Sequence, residues 1–329
     1  MRIRGLKTVR RVRIWLHSRV KNFVLILGYH RVAHAAFDPF DLCVQPDHFA
    51  EHLDVLQRKT QVIGLDTLYQ GLLNNNLPKQ AVLITFDDAY QDILHAVKPL
   101  LSARDLPATT FAVTSALGQE YWWDRLARLV FSPAMLPNNL TIKIGTETFH
   151  WTSTGAKEPT HLKRRLSPRH QLIHQIYERL SELPDEQLPV MAELQQWIET
   201  VAPVPDATAR AMTASELYTL CNDGLVTVGS HTISHPNLTA LPKTEQCREL
   251  NQSRQTLENI LGQPVTALSY PHGINNTETQ RLVEESGYQL AFSSQNGIVH
   301  QRQNRYALPR FWVPDWEAEQ FDRWLARWL

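Results

Sequence analysis

The sequence predicts an α/β protein: an irregular (β/α) barrel of about seven strands with a mainly helical insertion. Two observations predict it. Short apolar runs alternate with amphipathic stretches through most of the chain, the pattern of parallel βαβ units. The length of 329 residues exceeds the usual domain but suits an α/β barrel folded as one.

In chain order, Phe23–Gly28 reads as the first strand. Pro46–Arg58 reads as a helix with Phe49, Leu53 and Leu56 on one face. Ala81–Phe86 is a buried strand followed by a helix to about Ser102, and Thr109–Val113 is the next strand. Thr213 and Glu216 form a capping-box pattern that opens a helix ending near Gly224. Leu225–Gly229 is again a strand, then comes a long helix from about Thr244 to Leu261. Thr266–Tyr270, Gln289–Ser293 and Ala307–Trp312 read as further strands. The last helix aligns Phe321, Trp324, Leu325 and Trp328, and with Trp312 these read as core.

From about 118 to 210 the rhythm breaks into two or three helical patterns, several prolines and one β-like run, Leu140–Trp151. This is expected to be an insertion within a single barrel domain spanning 22–329. Tyr121-Trp122-Trp123-Asp124 opens it, and its aromatics suit either sugar stacking or a packing seam.

Composition excludes some classes. Lys+Arg and Asp+Glu balance at 33 each, so no global field points to nucleic acid. Cys43, Cys221 and Cys247 lack disulfide or metal-site spacing, which favours a reducing compartment. Residues 1–21 hold Arg2, Arg4, Lys7, Arg10, Arg11, Arg13, Arg19 and Lys21 and no acid. Leu6, Val9, Val12, Leu16 and Val20 run among them at near-helical spacing. The segment lacks the apolar core and cleavage site of a secretory signal. It reads either as a solvated leader or as a basic amphipathic helix in peripheral contact with an anionic membrane. A cytoplasmic protein is expected, associated with the inner membrane face under the second of these readings.

In such barrels the chemistry gathers at the C-terminal ends of strands, and polar clusters fall there. Thr85-Phe86-Asp87-Asp88 ends one strand. Alternation would send the adjacent carboxylates to opposite sides, one toward a metal and one toward substrate. A helix N-cap is the structural alternative. Ser230-His231-Thr232-Ile233-Ser234-His235 ends another strand, and histidines four apart on a helical turn can both reach a divalent ion. Pro236 discourages continuation of that turn.

Thr-Phe-Asp-Asp followed far downstream by Ser-His-Thr-x-x-His resembles the polysaccharide deacetylase family, which shares the NodB homology domain (carbohydrate esterase family 4-like). The resemblance covers about 24–113 and 211–313. It implies Asp88, His231 and His235 as ligands of one divalent metal ion, zinc by default. It implies Asp87 as the general base and hydrolysis of acetyl groups on the N-acetylated sugars of a polysaccharide or glycan precursor. Gly28-Tyr29-His30 ends the first strand, and members with a similar Tyr-His opening, such as poly-N-acetylglucosamine deacetylases, take their acid histidine there. That makes His30 the candidate acid and His300 the fallback. Ser269-Tyr270-Pro271-His272-Gly273 is similar to the third motif of the family, but Ser269 stands where an arginine would orient the base. Arg310 is the expected replacement. Tyr270, Pro271 and His272 are the candidate substrate and oxyanion contacts, with the Tyr270 amide as an oxyanion donor; Gly273 serves a turn. Alternatives are an O-acetyl esterase acting on a glycan and a catalytically silent glycan-binding member of the same fold. With no secretory signal, the expected substrate is a soluble or lipid-linked precursor.

Overall fold

The computed structural model describes residues 22–152, 167–204 and 207–329; the basic leader at 1–21 lies outside them. The chain divides into two compact units. Ala35–Leu42 with Gly118–Ala211 form one, and the remainder forms the other.

The larger unit is built on one sheet of β1 (Phe23–Tyr29), β2 (Gln61–Val62), β3 (Ala81–Phe86), β4 (Ala108–Ala112), β5 (Val226–Ser230), β6 (Ala267–Ser269), β7 (Leu290–Phe292), β8 (Val299–His300) and β9 (Phe311–Trp312). Its central order is β7-β6-β5-β4-β3-β1, with every neighbouring pair parallel. Every residue of β1 and β3 is buried, which is why both read as continuous apolar runs. The helix Pro46–Lys59 buries Phe49, Leu53 and Leu56 as the periodicity requires, together with His52 and Val55. Thr213 and Glu216 form both bonds of their capping box.

The expected strand over Ala307–Trp312 is instead split between two partners. Leu308 bridges to Phe292 of β7, and its N–H donates to the Ala291 carbonyl at 2.9 Å. Past Pro309, Phe311 and Trp312 pair with Leu27 and Gly28 of β1. One segment therefore joins the two ends of the curled sheet and completes the barrel. β8 runs antiparallel along the start of β1, with His300 opposite Phe23.

The smaller unit has its own core. The helices Trp122–Phe131, Pro168–Leu180 and Pro184–Glu199 and a hairpin of Asn139–Ile144 with Glu147–Thr152 surround Leu126, Val130, Ile142, Ile173, Ile176 and Leu194. Leu140, Ile142 and Ile144 alternate with exposed residues, so the ambiguous run is a half-buried β-ribbon. Tyr121 and Trp123 are buried and stacked on each other, ring centroids 4.4 Å apart. Trp122 stacks on Tyr177. These aromatics form a packing seam within the unit.

Candidate active site

The ends of the parallel strands bring the polar clusters together. The Asp87 N–H donates to the Tyr29 carbonyl at 2.9 Å, continuing the β1–β3 ladder by one residue. The backbone then departs from the strand, because Asp88 and Ala89 take left-handed φ values of 66° and 46°. Non-glycine residues hold that conformation only where surrounding contacts impose it. The kink cancels the pleat alternation, so the expected division of the two carboxylates to opposite sides does not occur. Asp87 Oδ2 and Asp88 Oδ1 lie 3.8 and 3.7 Å from the same atom, Nε2 of His231. Neither carboxylate caps a helix, since helical residues begin only past Tyr90.

His231 and His235 do not share a helical turn as the spacing suggested. Thr232 and His235 both adopt left-handed φ, 68° and 60°, and the loop between them is irregular. The outcome is nevertheless convergent: the rings lie 4.7 Å apart, and His235 Nε2 is 3.9 Å from Asp88 Oδ1. The Nδ1–H of His231 donates to the Ser269 carbonyl at 2.8 Å, which orients the ring and leaves Nε2 for a ligand.

Asp88, His231 and His235 offer one donor atom each, all within 4.8 Å of one another. Two metal–ligand bonds of about 2.0–2.1 Å in tetrahedral geometry separate their donors by roughly 3.3 Å, and the separations of 3.7 and 3.9 Å between Asp88 and the two imidazoles lie close to that spacing. Burial lowers the pKa of both imidazoles, that of His235 with help from its histidine neighbours. The rings are thereby held in the neutral, ligating form. The donor set fits a divalent ion.

Beside this trio, Arg310 grips Asp87. Its guanidinium is fully buried and pairs with both carboxylate oxygens at 2.8 Å. The remaining N–H groups reach Ser269 Oγ at 2.9 Å, the Ser293 carbonyl at 3.1 Å and Thr85 Oγ1 at 3.4 Å. Ser269 in turn donates to Asp87 Oδ2 at 3.0 Å. Serine at this position leaves room for a guanidinium arriving from the far end of the chain. Burial opposes the charge on Asp87, but the attraction of Arg310 and His231 and the Arg310 hydrogen bonds prevail and hold its carboxyl below the usual range.

His30 follows β1, half-buried, with its ring stacked on Trp312. Burial lowers its pKa to about 4; Asp87 opposes the shift, and Arg310 and His231 add to it. His300, the fallback acid, sits beside Phe23 at the opposite end of β1 from His30.

The third-motif expectations need correction. The Tyr270 N–H donates to the Phe292 carbonyl at 3.0 Å, so this amide is committed to the sheet and is not an oxyanion donor. The Tyr270 side chain is fully buried, its hydroxyl donating to the Tyr306 carbonyl at 2.9 Å, so it packs behind the site. Pro271 is also buried. His272 alone of the three is exposed, with φ 57° and its ring 4.7 Å from that of His235. Gly273 is required by its turn, since φ is +70° and a Cβ would fall 2.0 Å from Ser294 Oγ.

Two participants escaped the sequence reading. Trp312 was assigned to the core, although two residues after Arg310 on a strand it had to share the arginine's face. Glu249 lies in the helix Lys243–Leu261 among buried Gln246, Leu250, Ser253 and Leu257; the signal was a polar residue on an otherwise inward-facing stripe.

A family model described as polysaccharide deacetylase matches residues 74–183 and 191–291, a range that includes Asp87, Asp88, His231, His235 and Ser269 but neither His30 nor Arg310. YxkH of Bacillus subtilis (strain 168) is 32% identical over 99 residues, 30% of this chain and 35% of its own length. A poly-beta-1,6-N-acetyl-D-glucosamine N-deacetylase of Staphylococcus aureus (strain MRSA252) is 20% identical over 94% of this chain and 83% of its own. Among solved structures, IcaB from Ammonifex degensii superposes with a TM-score of 0.60 at 16% identity, covering 92% of this chain and 97% of that one. The Streptococcus pyogenes deacetylase PplD in complex with acetate gives 0.59 at 18% identity over 92% and 98%.

Proposed function

The chain belongs to the polysaccharide deacetylase family, and from that premise we propose that it is a metal-dependent hydrolase that removes acetyl groups from N-acetylated sugars of a polysaccharide or glycan precursor. One observation carries the reading: Asp87, ionised and gripped by Arg310 and Ser269, stands 3.8 Å from a histidine of the Asp88–His231–His235 set. A base fixed against a cation site suits activation of water toward an acyl carbon.

Asp88, His231 and His235 would hold the cation, with zinc the first choice for two imidazoles and one carboxylate. The bound ion would polarise the acetyl carbonyl and lower the pKa of a water molecule. Asp87 would take a proton from the attacking water, and Arg310 keeps the carboxylate ionised and aimed between turnovers. His30, neutral near pH 7, would take up a proton from solvent and deliver it to the departing sugar amine, while Asp87 returns its own proton to solvent. The S. aureus relative named for poly-beta-1,6-N-acetyl-D-glucosamine supports a polymer of N-acetylglucosamine as the substrate class.

The reading places the enzyme in the cytoplasm at the inner membrane face, acting on a soluble or lipid-linked precursor. The eight basic residues and no acid among 1–21 support the membrane contact. Among the described residues, no helix is long and apolar enough to cross a membrane. Removal of residues 1–21 should leave activity intact and abolish co-sedimentation with anionic vesicles; sedimentation that persists refutes the contact.

The deciding experiment is acetate release from N-acetylglucosamine oligomers by metal-replete and chelated protein, with Asp87→Asn at matched metal content. Release that requires metal and disappears in Asp87→Asn is the expected result. Release only from O-acetylated glycans would favour the esterase. No release from either class by metal-loaded protein would favour a glycan-binding role.

A further inference from the structure

We propose that Glu249 is a positioning residue of the cation site: its buried carboxylate locks the loop between His231 and His235 in the conformation that turns both imidazoles toward Asp88. The proposal rests on the reading of Asp88, His231 and His235 as a cation site and extends it to the groups that shape it.

The geometry is specific. Glu249 is 1% exposed and lies in the helix Lys243–Leu261. Its Oε2 accepts the N–H groups of Ile233 and Ser234 at 2.8 and 3.0 Å, and its Oε1 accepts the Ser234 hydroxyl at 2.9 Å. A buried carboxylate needs such partners to offset its desolvation, and bonds from N–H to a charged acceptor are stronger than neutral ones. Arg248 approaches at 3.5 Å but is half-exposed. The loop donors are thus the closer partners of this charge.

The opposite side of the loop is held by the strand beside it. Thr114 and Ser115, just past β4, donate to the carbonyls of Thr232 and Ile233 at 3.2 and 2.9 Å. Ser253, one turn beyond Glu249 on the same helix, donates to the Thr232 carbonyl at 3.0 Å. The gripped segment is flanked by the two left-handed residues, Thr232 and His235, whose backbone cost persists only where the surroundings over-determine it. The carboxylate engages the two consecutive N–H groups between them. A cation site tolerates displacement of about half an ångström, so slack in this loop would appear as weakened metal binding.

The test uses the full chain and measures zinc affinity by competition with a chromophoric chelator, alongside the thermal midpoint of the metal-free protein. Wild type should bind one zinc. Glu249→Ala should bind it roughly ten- to a hundredfold more weakly, the usual effect of losing an outer partner of a metal ligand. Glu249→Gln, which keeps an acceptor oxygen for the two N–H groups, should lie between them. A Glu249→Ala protein that melts earlier yet binds zinc as wild type does would make Glu249 a packing residue and overturn the proposal. If that variant does not fold, Glu249→Asp retains the charge but is too short to span the same donors; undiminished zinc affinity there would also overturn it. Wild type that binds no zinc would instead remove the reading of the cation site itself.

Discussion

The Trp312 indole lies flat against the His30 imidazole, with ring centroids 4.4 Å apart and planes 15° from parallel. Strand register produces this pair. Trp312 of β9 is opposite Gly28 of β1, and His30 follows two residues later on the same face. Glycine at 28 is required, because a Cβ there would come within 2.7 Å of the indole. The Arg310 guanidinium also lies over this indole, at 4.7 Å. One side chain thus touches both the candidate acid and the arginine that grips the base.

Trp312→Leu should therefore lower kcat for acetate release by roughly tenfold with zinc content unchanged. His30→Ala should lower it by about a hundredfold or more, as expected for loss of an acid–base group. Single-turnover assays at matched metal content check both. Full kcat in Trp312→Leu would show that His30 is oriented without the stack.

Removing the Arg310 side chain should damage both turnover and folding. Arg310→Ala leaves Asp87 buried without its counter-charge, and breaking such a pair costs about 3–5 kcal/mol. Denaturant unfolding should show that loss, and acetate release should fall by roughly two to three orders of magnitude with metal still bound. Arg310→Lys should recover part of the stability but little turnover, because an ammonium cannot form the paired grip on both oxygens. Turnover that survives Arg310→Ala would exclude this orienting role.

Acid should destabilise the fold through His52. This imidazole is buried between Tyr29, whose hydroxyl lies 3.3 Å from Nδ1, and the Trp316 carbonyl, 2.7 Å from Nε2. Burial lowers its pKa to about 4, and the Trp316 bond only partly offsets this. In the unfolded chain a histidine takes up its proton near 6.5, so between pH 6.5 and 4 the unfolded state binds the extra proton. Stability present above 6.5 is then lost as pH falls, by roughly 3 kcal/mol for this group. Urea unfolding across that window should show a steeper pH slope for wild type than for His52→Phe. Equal slopes would mean that other groups account for the acid sensitivity.

Zinc should stabilise the protein through Asp88, His231 and His235. At a thousandfold excess over its dissociation constant, a ligand of the native state adds about 4 kcal/mol. The thermal midpoint should rise on adding zinc to wild type and fall back with a chelator. Asp88→Ala should not respond, and a full response in it would place the ion elsewhere.

Much of the barrel and the reactive residue types was legible in the pattern, because continuous apolar runs, helical stripes and a capping box report local preference and burial. The site's final geometry was less so. Asp88, Ala89, Thr232 and His235 adopt left-handed backbone, which Asp and His visit only occasionally and Ala and Thr rarely; tertiary contacts impose it. That is why the pleat argument failed for Asp87 and Asp88, although the two carboxylates do lie beside His231. The Tyr270 amide was misassigned for a related reason: whether an N–H is free depends on its strand partner, here Phe292. Arg310 was found because a missing cation at position 269 demanded a substitute.

The segment that completes the barrel also carries Arg310 and Trp312, and this fixes an order of events during synthesis. The candidate ligands Asp88, His231 and His235 come first, and Glu249 and Ser269, which hold the loop and the His231 ring, follow them. The Arg310 guanidinium and the Trp312 indole follow later in the chain, and they reach Asp87 and His30 when Leu308 and Phe311 dock on β7 and β1. Closing the sheet and completing the grip on Asp87 are therefore one event: a chain that stops short of Leu308 carries Asp88, His231 and His235 without Arg310 or Trp312.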